Sequence, residues 1–304
     1  MKATWENTDK GVTVVRLKWD GNMKSTWHCL LSSDRHHDNP YCDQELEKQH
    51  LDKALELNAG IIDAGDLHCA MQGKYDKRSS KSAIREEHME GNYLDRLVET
   101  AADFYEPYAK NWIVMGAGNH EESIRQHHET DLNQRLIGVL NDRTKSNIQF
   151  GYTQGYVKFI VYKPNGRTIE TKKLFYLHGH GGGGIMSFDT LQCRRLLSKH
   201  RADAYIFGHT HQPWCIPFTQ DDITPRGTWI ERPVTVCKLP SYKSPPRMRG
   251  WEANKGFSTM PVGCAWLKIQ VVKRKNKKKE FQEYVDLSIN LDTSPPRHRT
   301  EYVD

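Results

Sequence analysis

Five short apolar runs along the chain stop abruptly at polar residues, with the same pattern each time. Cys29-Leu30-Leu31 leads into Ser32-Ser33-Asp34-Arg35-His36, and Ile61-Ile62 into Asp63-Ala64-Gly65-Asp66. Trp112-Ile113-Val114-Met115 leads into Gly116-Ala117-Gly118-Asn119-His120-Glu121. Leu174-Phe175-Tyr176-Leu177 leads into His178-Gly179-His180, and Tyr205-Ile206-Phe207 into Gly208-His209-Thr210-His211. Each run has the length and composition of a buried strand, and each opens into a loop carrying Asp, Asn or His.

Between these runs the pattern changes period. Residues 11–19 alternate as an edge strand should, and 25–33 read as the first inner strand. Asp43 is placed to cap a helix in which Leu46, Leu51, Ala54 and Leu55 form an apolar stripe through about Leu57. A strand at 60–64 precedes a polar stretch, 67–84, read as a surface loop near the strand ends. Helices are expected at 85–109, with Tyr93, Leu94, Leu97, Val98, Ala101 and Phe104 inward, and at 122–141, with Leu132, Leu136, Ile137 and Leu140 inward; the strand at 112–116 separates them. Pro164-Asn165-Gly166 turns the chain between strands at 148–162 and 171–177. Ser187 can cap a helix to about His200 that packs Leu191, Leu196 and Leu197; a strand at 203–207 follows. Strands at 228–239, 262–273 and 281–290 complete the pattern, with a loop at Ser244-Pro245-Pro246-Arg247 and a frayed tail from Ser294.

Helices alternating with strands, then extra strands, predict an α/β protein of two face-to-face sheets with helices outside. No repeat or linker interrupts the chain, so one domain over 1–304 is expected: motifs at 28–211, second-sheet strands and loops that could cap the site at 212–293, and a tail at 294–304. Ligands gather outside the carboxyl ends of strands in such sheets, and five such ends could meet at one rim.

Composition narrows the class. Hydrophobic residues make up 37% and charged residues 27% of the chain. No run approaches the ~18 apolar residues of a membrane span. The first residues lack the apolar core of a signal peptide, which makes cytoplasm the default expectation. The seven cysteines contain no Cys-x-x-Cys, which argues against a disulfide framework or zinc knuckle and for free thiols. The net charge of +6 favours an anionic substrate without specifying nucleic acid.

Seven residues in the five loops have ligand chemistry: Asp34, His36, Asp66, Asn119, His178, His209 and His211. They exceed the four positions of a tetrahedral zinc. They suit two divalent ions bridged by a carboxylate, with manganese preferred and iron, zinc or nickel also compatible. Such ions ~3.5–4 Å apart clamp a phosphate for in-line attack. Asp34 and His36, two apart, would point to one side of an extended segment, and His209 and His211 repeat that spacing.

Asp-x-His, Gly-Asp, Gly-Asn-His-Glu, His and Gly-His-x-His, in this order over residues 28–211, resemble the calcineurin-like metallophosphoesterase superfamily, in wording similar to versions encoded by bacteriophages. The resemblance implies a four-layer α/β/β/α sandwich of two mixed β-sheets, the metallo-dependent phosphatase fold. It also implies that Asp34, His36 and His211 hold one metal, that Asn119, His178 and His209 hold the other, and that Asp66 bridges them. A hydroxide held by the metals would be the nucleophile. His120 would bind no metal and would face the scissile phosphate as general acid or charge stabiliser.

Substrate contacts are less determined. Arg35 could reach a phosphate or be a salt-bridged rim arginine, and His37, Asp38 and His68 could touch substrate or merely adjoin ligands. His180 with Gly181–184 could present amides to an oxyanion or form a plain loop; it lacks the Lys of a P-loop. The run Lys273-Arg274-Lys275-Asn276-Lys277-Lys278-Lys279 reads as a hairpin tip, solvated or in contact with nucleic-acid phosphates. Trp214, Trp229, Tyr242 and Trp251 are core residues or platforms for bases. The expected function is metal-dependent hydrolysis of phosphodiesters, with DNA, RNA or a nucleotide as partner and no membrane. The oligomeric state is open. Glu121 resembles the protein-phosphatase branch and keeps a phosphomonoesterase in view, although Ala117 stands where that branch has Arg. A non-enzymatic module would be expected to lose ligands or His120, and none is missing.

Overall fold

Strand β3 (Thr26–Ser32) shows how the layers form: Trp27, Cys29 and Leu31 face one core while Leu30 faces another. The same period-two split recurs on later strands and builds three apolar layers. The structure, a computed structural model, describes residues 1–70, 84–89, 92–181, 189–224, 227–244, 259–275 and 280–296.

The chain begins with β1 (Lys2–Asp9) and β2 (Val12–Lys18), and β3 leads to helix α1 (Gln44–Glu56). Next come β4 (Gly60–Asp63), α2 (Tyr93–Tyr105), β5 (Trp112–Met115), α3 (Asn119–His128) and α4 (Leu132–Thr144). They are followed by β6 (Gln149–Phe150), β7 (Gln154–Tyr162), β8 (Thr168–Leu177), α5 (Thr190–Lys199) and β9 (Ala204–Phe207). Finally come β10 (Trp214–Ile223), β11 (Trp229–Lys238), β12 (Val262–Lys275) and β13 (Phe281–Ser294). One sheet runs β1-β2-β7-β8-β9-β11-β10, the other β13-β12-β3-β4-β5-β6. In the first, β8, β9 and β11 are parallel; in the second, β3 to β6 are.

The faces between the sheets share one core, including Leu17, Leu31, Ile62, Phe159, Leu174, Ile206 and Leu267. Outside the six-stranded sheet, α1, α2 and α4 cover Leu30, Ile61 and Trp112 with Leu51, Ala101 and Leu136. Outside the seven-stranded sheet, α5 covers Phe175, Tyr205 and Phe207 with Cys193 and Leu196. The result is the expected α/β/β/α sandwich. Among the described residues no helix is long and apolar enough to cross a membrane, and all seven cysteines are free thiols.

Several element expectations need correction. The edge strand is β1, not residues 11–19: β2 lies between β1 and β7. The helix expected at 85–109 reduces to α2, bracketed by single 3-10 segments at Glu86–His88 and Glu106–Asn111, the latter holding Pro107. The helix expected at 122–141 is two helices: α3 ends at His128, capped by Glu129 with φ +54°, and α4 restarts with Asp131 accepting from the Gln134 N–H at 2.9 Å. Leu55 lies outside the α1 stripe, at 38% exposure, and Leu191 outside the packed face of α5, at 62%. The strands after Pro213 divide between both sheets, and β10 was not foreseen. Ser187, most of the 67–84 loop, Pro245 to Arg247, Trp251 and the tail beyond 296 lie outside the described residues.

Candidate metal centre

Five strand ends, those of β3, β4, β5, β8 and β9, meet at one pole and bring the seven predicted ligands together. The ligand atoms of Asp34, His36 and His211 all lie within 4.8 Å of one another, as do those of Asp66, His178 and His209. In the first group His211 Nε2 is 3.3 Å from Asp34 Oδ1 and 3.2 Å from His36 Nε2. In the second, His178 Nε2 is 3.2 Å from Asp66 Oδ2. Asn119, the first residue of α3, sets its amide oxygen 3.1 Å from His178 Nε2, 2.7 Å from His209 Nδ1 and 3.3 Å from Asp66 Oδ2. The His120 ring stands edge-on to His36 at 5.0 Å, joining the two groups.

The backbone that achieves this is strained. Asp34, His36, Asp66, His209 and His211 all have positive φ, between +47° and +77°. Side chains at left-handed positions cost roughly 1–3 kcal/mol each and persist only where surroundings hold them. The spacing of two therefore works through paired left-handed residues rather than an extended segment. In the Asp-x-His loop both residues reach the same group. In the Gly-His-x-His loop His209 turns to one group and His211 to the other. Two glycines are needed for the close approach: a Cβ on Gly118 would lie 2.0 Å from Asp66 Oδ1, and one on Gly208 would lie 2.3 Å from Asp34 Oδ2.

Outer hydrogen bonds fix which ring nitrogen faces inward. His178 Nδ1 is 3.1 Å from the Ala64 carbonyl, and His209 Nε2 is 2.8 Å from the Gly181 carbonyl. That leaves His178 Nε2 and His209 Nδ1 toward the centre. His120 Nδ1 donates to the Cys69 carbonyl at 2.5 Å, leaving Nε2 3.8 Å from Asp66 Oδ2. Burial opposes ionisation of Asp34 and Asp66, but His211 beside Asp34 and His178 beside Asp66 outweigh it and hold both carboxyls low. Burial, with His120 and Lys243, pushes His36 well down, so it is neutral and able to ligate. Burial also lowers His209. Burial opposes charge on His178 too, but Asp66 and Asp34 overcome it and push His178 up to about 10.

The donor set fits divalent cations. Asp34 Oδ1 is fully buried and makes no well-directed hydrogen bond, with His211 Nε2 beside it at 3.3 Å, a costly state for a carboxylate oxygen. Lone pairs from Asn119, Asp66, His178 and His209 converge on one point. With no cation there the Asn119 amide nitrogen would take the place as donor; with one, the oxygen does.

The predicted substrate contacts fare differently. Arg35 is fully buried and turned away from the rim: Nη1 pairs with Glu47 Oε1 at 2.6 Å and Nε with Asp63 Oδ2 at 2.8 Å, among the rings of Tyr105, Trp112 and Tyr242. It cannot reach a phosphate, because the left-handed turns that aim Asp34 and His36 outward send the residue between them inward. His37 is also inside, 3.0 Å from Glu47 Oε2 and packed on Phe104. His68 is fully buried behind the centre, 4.0 Å from Glu121 Oε1. Asp38 accepts from the Cys69 and Ala70 N–H groups rather than facing substrate. His180 is exposed on the loop that follows His178, and Gly182 to Gly184 lie outside the described residues.

The basic strand end Lys273 to Lys275 lies at the opposite pole. β12 runs antiparallel to β3, and Ala265 pairs with Leu31 near the centre, so Lys275 is roughly 30 Å further along. Asn276 to Lys279 are outside the described residues. Of the aromatics, Tyr242 is buried, Trp214 packs on Phe207, and Trp229 is exposed at the start of β11, again away from the centre.

Sequence reasoning missed Asp63 and Glu47, and it missed the structural role of Glu121. Glu121 accepts from the N–H groups of Gly118 at 2.8 Å, Asp66 at 3.1 Å and His68 at 2.9 Å, locking two ligand loops together. Its place three residues after the helix-capping Gly118 was the available signal.

A calcineurin-like phosphoesterase family profile matches residues 58–213, just over half of the chain. The chain belongs to the calcineurin-like phosphoesterase family. This calcineurin-like phosphoesterase is thus a metal-dependent phosphoric ester hydrolase, from a family that binds divalent metals. No curated protein matches its sequence. Similar solved structures include Vps29 of Chaetomium thermophilum, at 8% identity and TM-score 0.33 over 86% of this chain and 96% of that one. Protein TM1076 of Thermotoga maritima, solved by NMR, is similar at 14% identity and TM-score 0.29 over 86% and 98%. Vps29 complexed with a cyclic peptide also matches, at 8% identity and TM-score 0.24 over 87% and 96%.

Proposed function

We propose that this phosphoesterase hydrolyses phosphodiesters, with nucleic acid or a nucleotide as the substrate class and two manganese-type divalent ions as cofactor. Asp34, His36 and His211 would hold one ion and Asn119, His178 and His209 the other, with Asp66 between. Bound there, divalent cations lower the pKa of a water and neutralise phosphoryl oxygens.

The observation that carries the reading is the setting of His120. Its Nδ1 is committed to the Cys69 carbonyl, so Nε2 is the atom beside both ligand groups. From there it can give a proton to the departing oxygen or hydrogen-bond the charge that develops on it. The N-terminus of α3, which begins at Asn119, adds a favourable field for an anion. Preference for diesters is supported by the absence of a rim guanidinium from the motifs: Arg35 is turned inside and Ala117 is apolar. A diester phosphate carries one charge where a monoester carries about two, and needs less compensation. The basic strand end Lys273 to Lys275, at the opposite pole, lends no support to nucleic-acid contact at the centre.

The test is a manganese-loaded panel of bis-p-nitrophenyl phosphate, p-nitrophenyl phosphate, phosphopeptide, and single- and double-stranded DNA and RNA, with His120→Ala alongside. Diesters should turn over faster than monoesters. The variant should keep its metal and lose most turnover on substrates with poor leaving groups. Faster turnover of phosphopeptides would install the monoesterase reading, and an unimpaired variant would remove His120 from its role.

A further inference from the structure

His209 and His211 both have left-handed backbone, at φ +77° and +55°, so their surroundings must hold the turn between them. Lys238 is placed to do this. It is the last residue of β11, and its neighbours in the sheet are Phe207, the last residue of β9, and Trp214, the first of β10. The loop 208–213 therefore leaves from one side of Lys238 and returns on the other. The Lys238 side chain is fully buried, with Nζ 5.2 Å from the centre of the Phe207 ring. Nζ donates to the hydroxyl of Thr210, the residue between the two histidines, and to Asp189 Oδ2. The Thr210 hydroxyl in turn donates to Asp189 Oδ2 at 2.5 Å. The three groups close a triangle anchored on the loop. Asp189 stands at the N-cap position of α5 yet makes no capping hydrogen bond; its carboxylate is turned to the lysine and the threonine instead.

Apolar side chains in place of a buried ion pair often leave stability unchanged. What they cannot do is fix a hydroxyl. We propose that Lys238, with Asp189, is a positioning residue of the metal centre: through the Thr210 hydroxyl it holds the turn that sends His209 to one ligand group and His211 to the other. Because the two histidines serve different groups, this one tether sets both halves of the centre. The proposal rests on the metal-centre reading above.

The test uses the full chain as wild type, Thr210→Val, Thr210→Ser, and a double variant, Lys238→Met with Asp189→Asn, which removes the ammonium without leaving a lone buried charge. Calorimetry reads manganese affinity, and urea denaturation of the metal-free proteins reads stability. Loss of a ligand-orienting group predicts a fall of roughly tenfold or more in manganese affinity, at both binding steps, for Thr210→Val and for the double variant. Their urea midpoints should stay close to wild type. Thr210→Ser keeps the hydroxyl and should bind as wild type does. Unchanged affinity in Thr210→Val or in the double variant would overturn the proposal. So would a Thr210→Ser as weak as Thr210→Val, a weakening confined to one step, or an affinity loss matched by a fall in the urea midpoint, which marks a structural role alone. If wild type takes up no manganese, the metal-centre reading fails and this proposal with it; variants that bind like a manganese-loaded wild type refute this proposal only.

Discussion

Replacing Arg35 with Met keeps most of the side chain's volume and removes its charge. Arg35, Glu47 and Asp63 are all fully shielded from water, with pairings of 2.6 and 2.8 Å. Burial alone would push Glu47 up, but His37, Arg35 and the Tyr105 hydroxyl outweigh it and bring it from 4.5 down to about 2. At about 1.4 kcal/mol per pKa unit, that displacement is worth about 3 kcal/mol of stability, shared among those partners. Burial keeps Asp63 raised even with Arg35 beside it. Breaking a buried ion pair from one side costs about 3–5 kcal/mol, and that is the loss expected for Arg35→Met near pH 7.5. Wild-type Glu47, with its depressed pKa, contributes stability that is present above pH 4.5 and lost as pH falls toward 2. In the variant Glu47 and Asp63 titrate higher, so protonation relieves the buried charge as pH falls from 7.5 toward 4.5, and the gap to wild type narrows. Urea denaturation of the metal-free proteins at pH 5, 6 and 7.5 measures this. A phosphate-binding Arg35 would instead leave stability intact and raise KM. A loss under about 1 kcal/mol, far below that of a broken buried pair, or a gap that does not change with pH, would refute the argument.

Gly118→Ala places a Cβ 2.0 Å from Asp66 Oδ1. Metal affinity should fall roughly tenfold or more, as for disturbed ligand-orienting groups, and unchanged affinity in a metal titration would argue that Asp66 is not a ligand. In the metal-free protein His178, pushed up to about 10 by Asp66 and Asp34 against the effect of burial, contributes stability that is complete below pH 6.5 and lost as pH rises through 10. Manganese binding at pH 8 should therefore release a proton, seen by calorimetry in buffers of different ionisation heat; a buffer-independent heat would contradict it.

The ligand loops were legible because each apolar run ends where a strand ends, and strand ends are where side chains of this chemistry can converge. Asn119 and His120 were legible for the same reason. β1 was not, because Ala3 and Trp5 are the only apolar residues of Lys2–Asp9; the strand gains its place by pairing with β2, by packing those two side chains against the core between the sheets, and by Trp5 Nε1 donating to the Asn147 carbonyl at 2.8 Å. The break between α3 and α4 at Glu129 was not legible either, because no glycine or proline separates the two helices. Arg35 was misread because alternation assumes an extended backbone, whereas both its neighbours are left-handed.

The most direct measurement is anomalous scattering from crystals grown with manganese. The account predicts two peaks, one among Asp34, His36 and His211 and one among Asn119, His178 and His209, with Asp66 touching both. A single peak, or peaks away from these side chains, would contradict it.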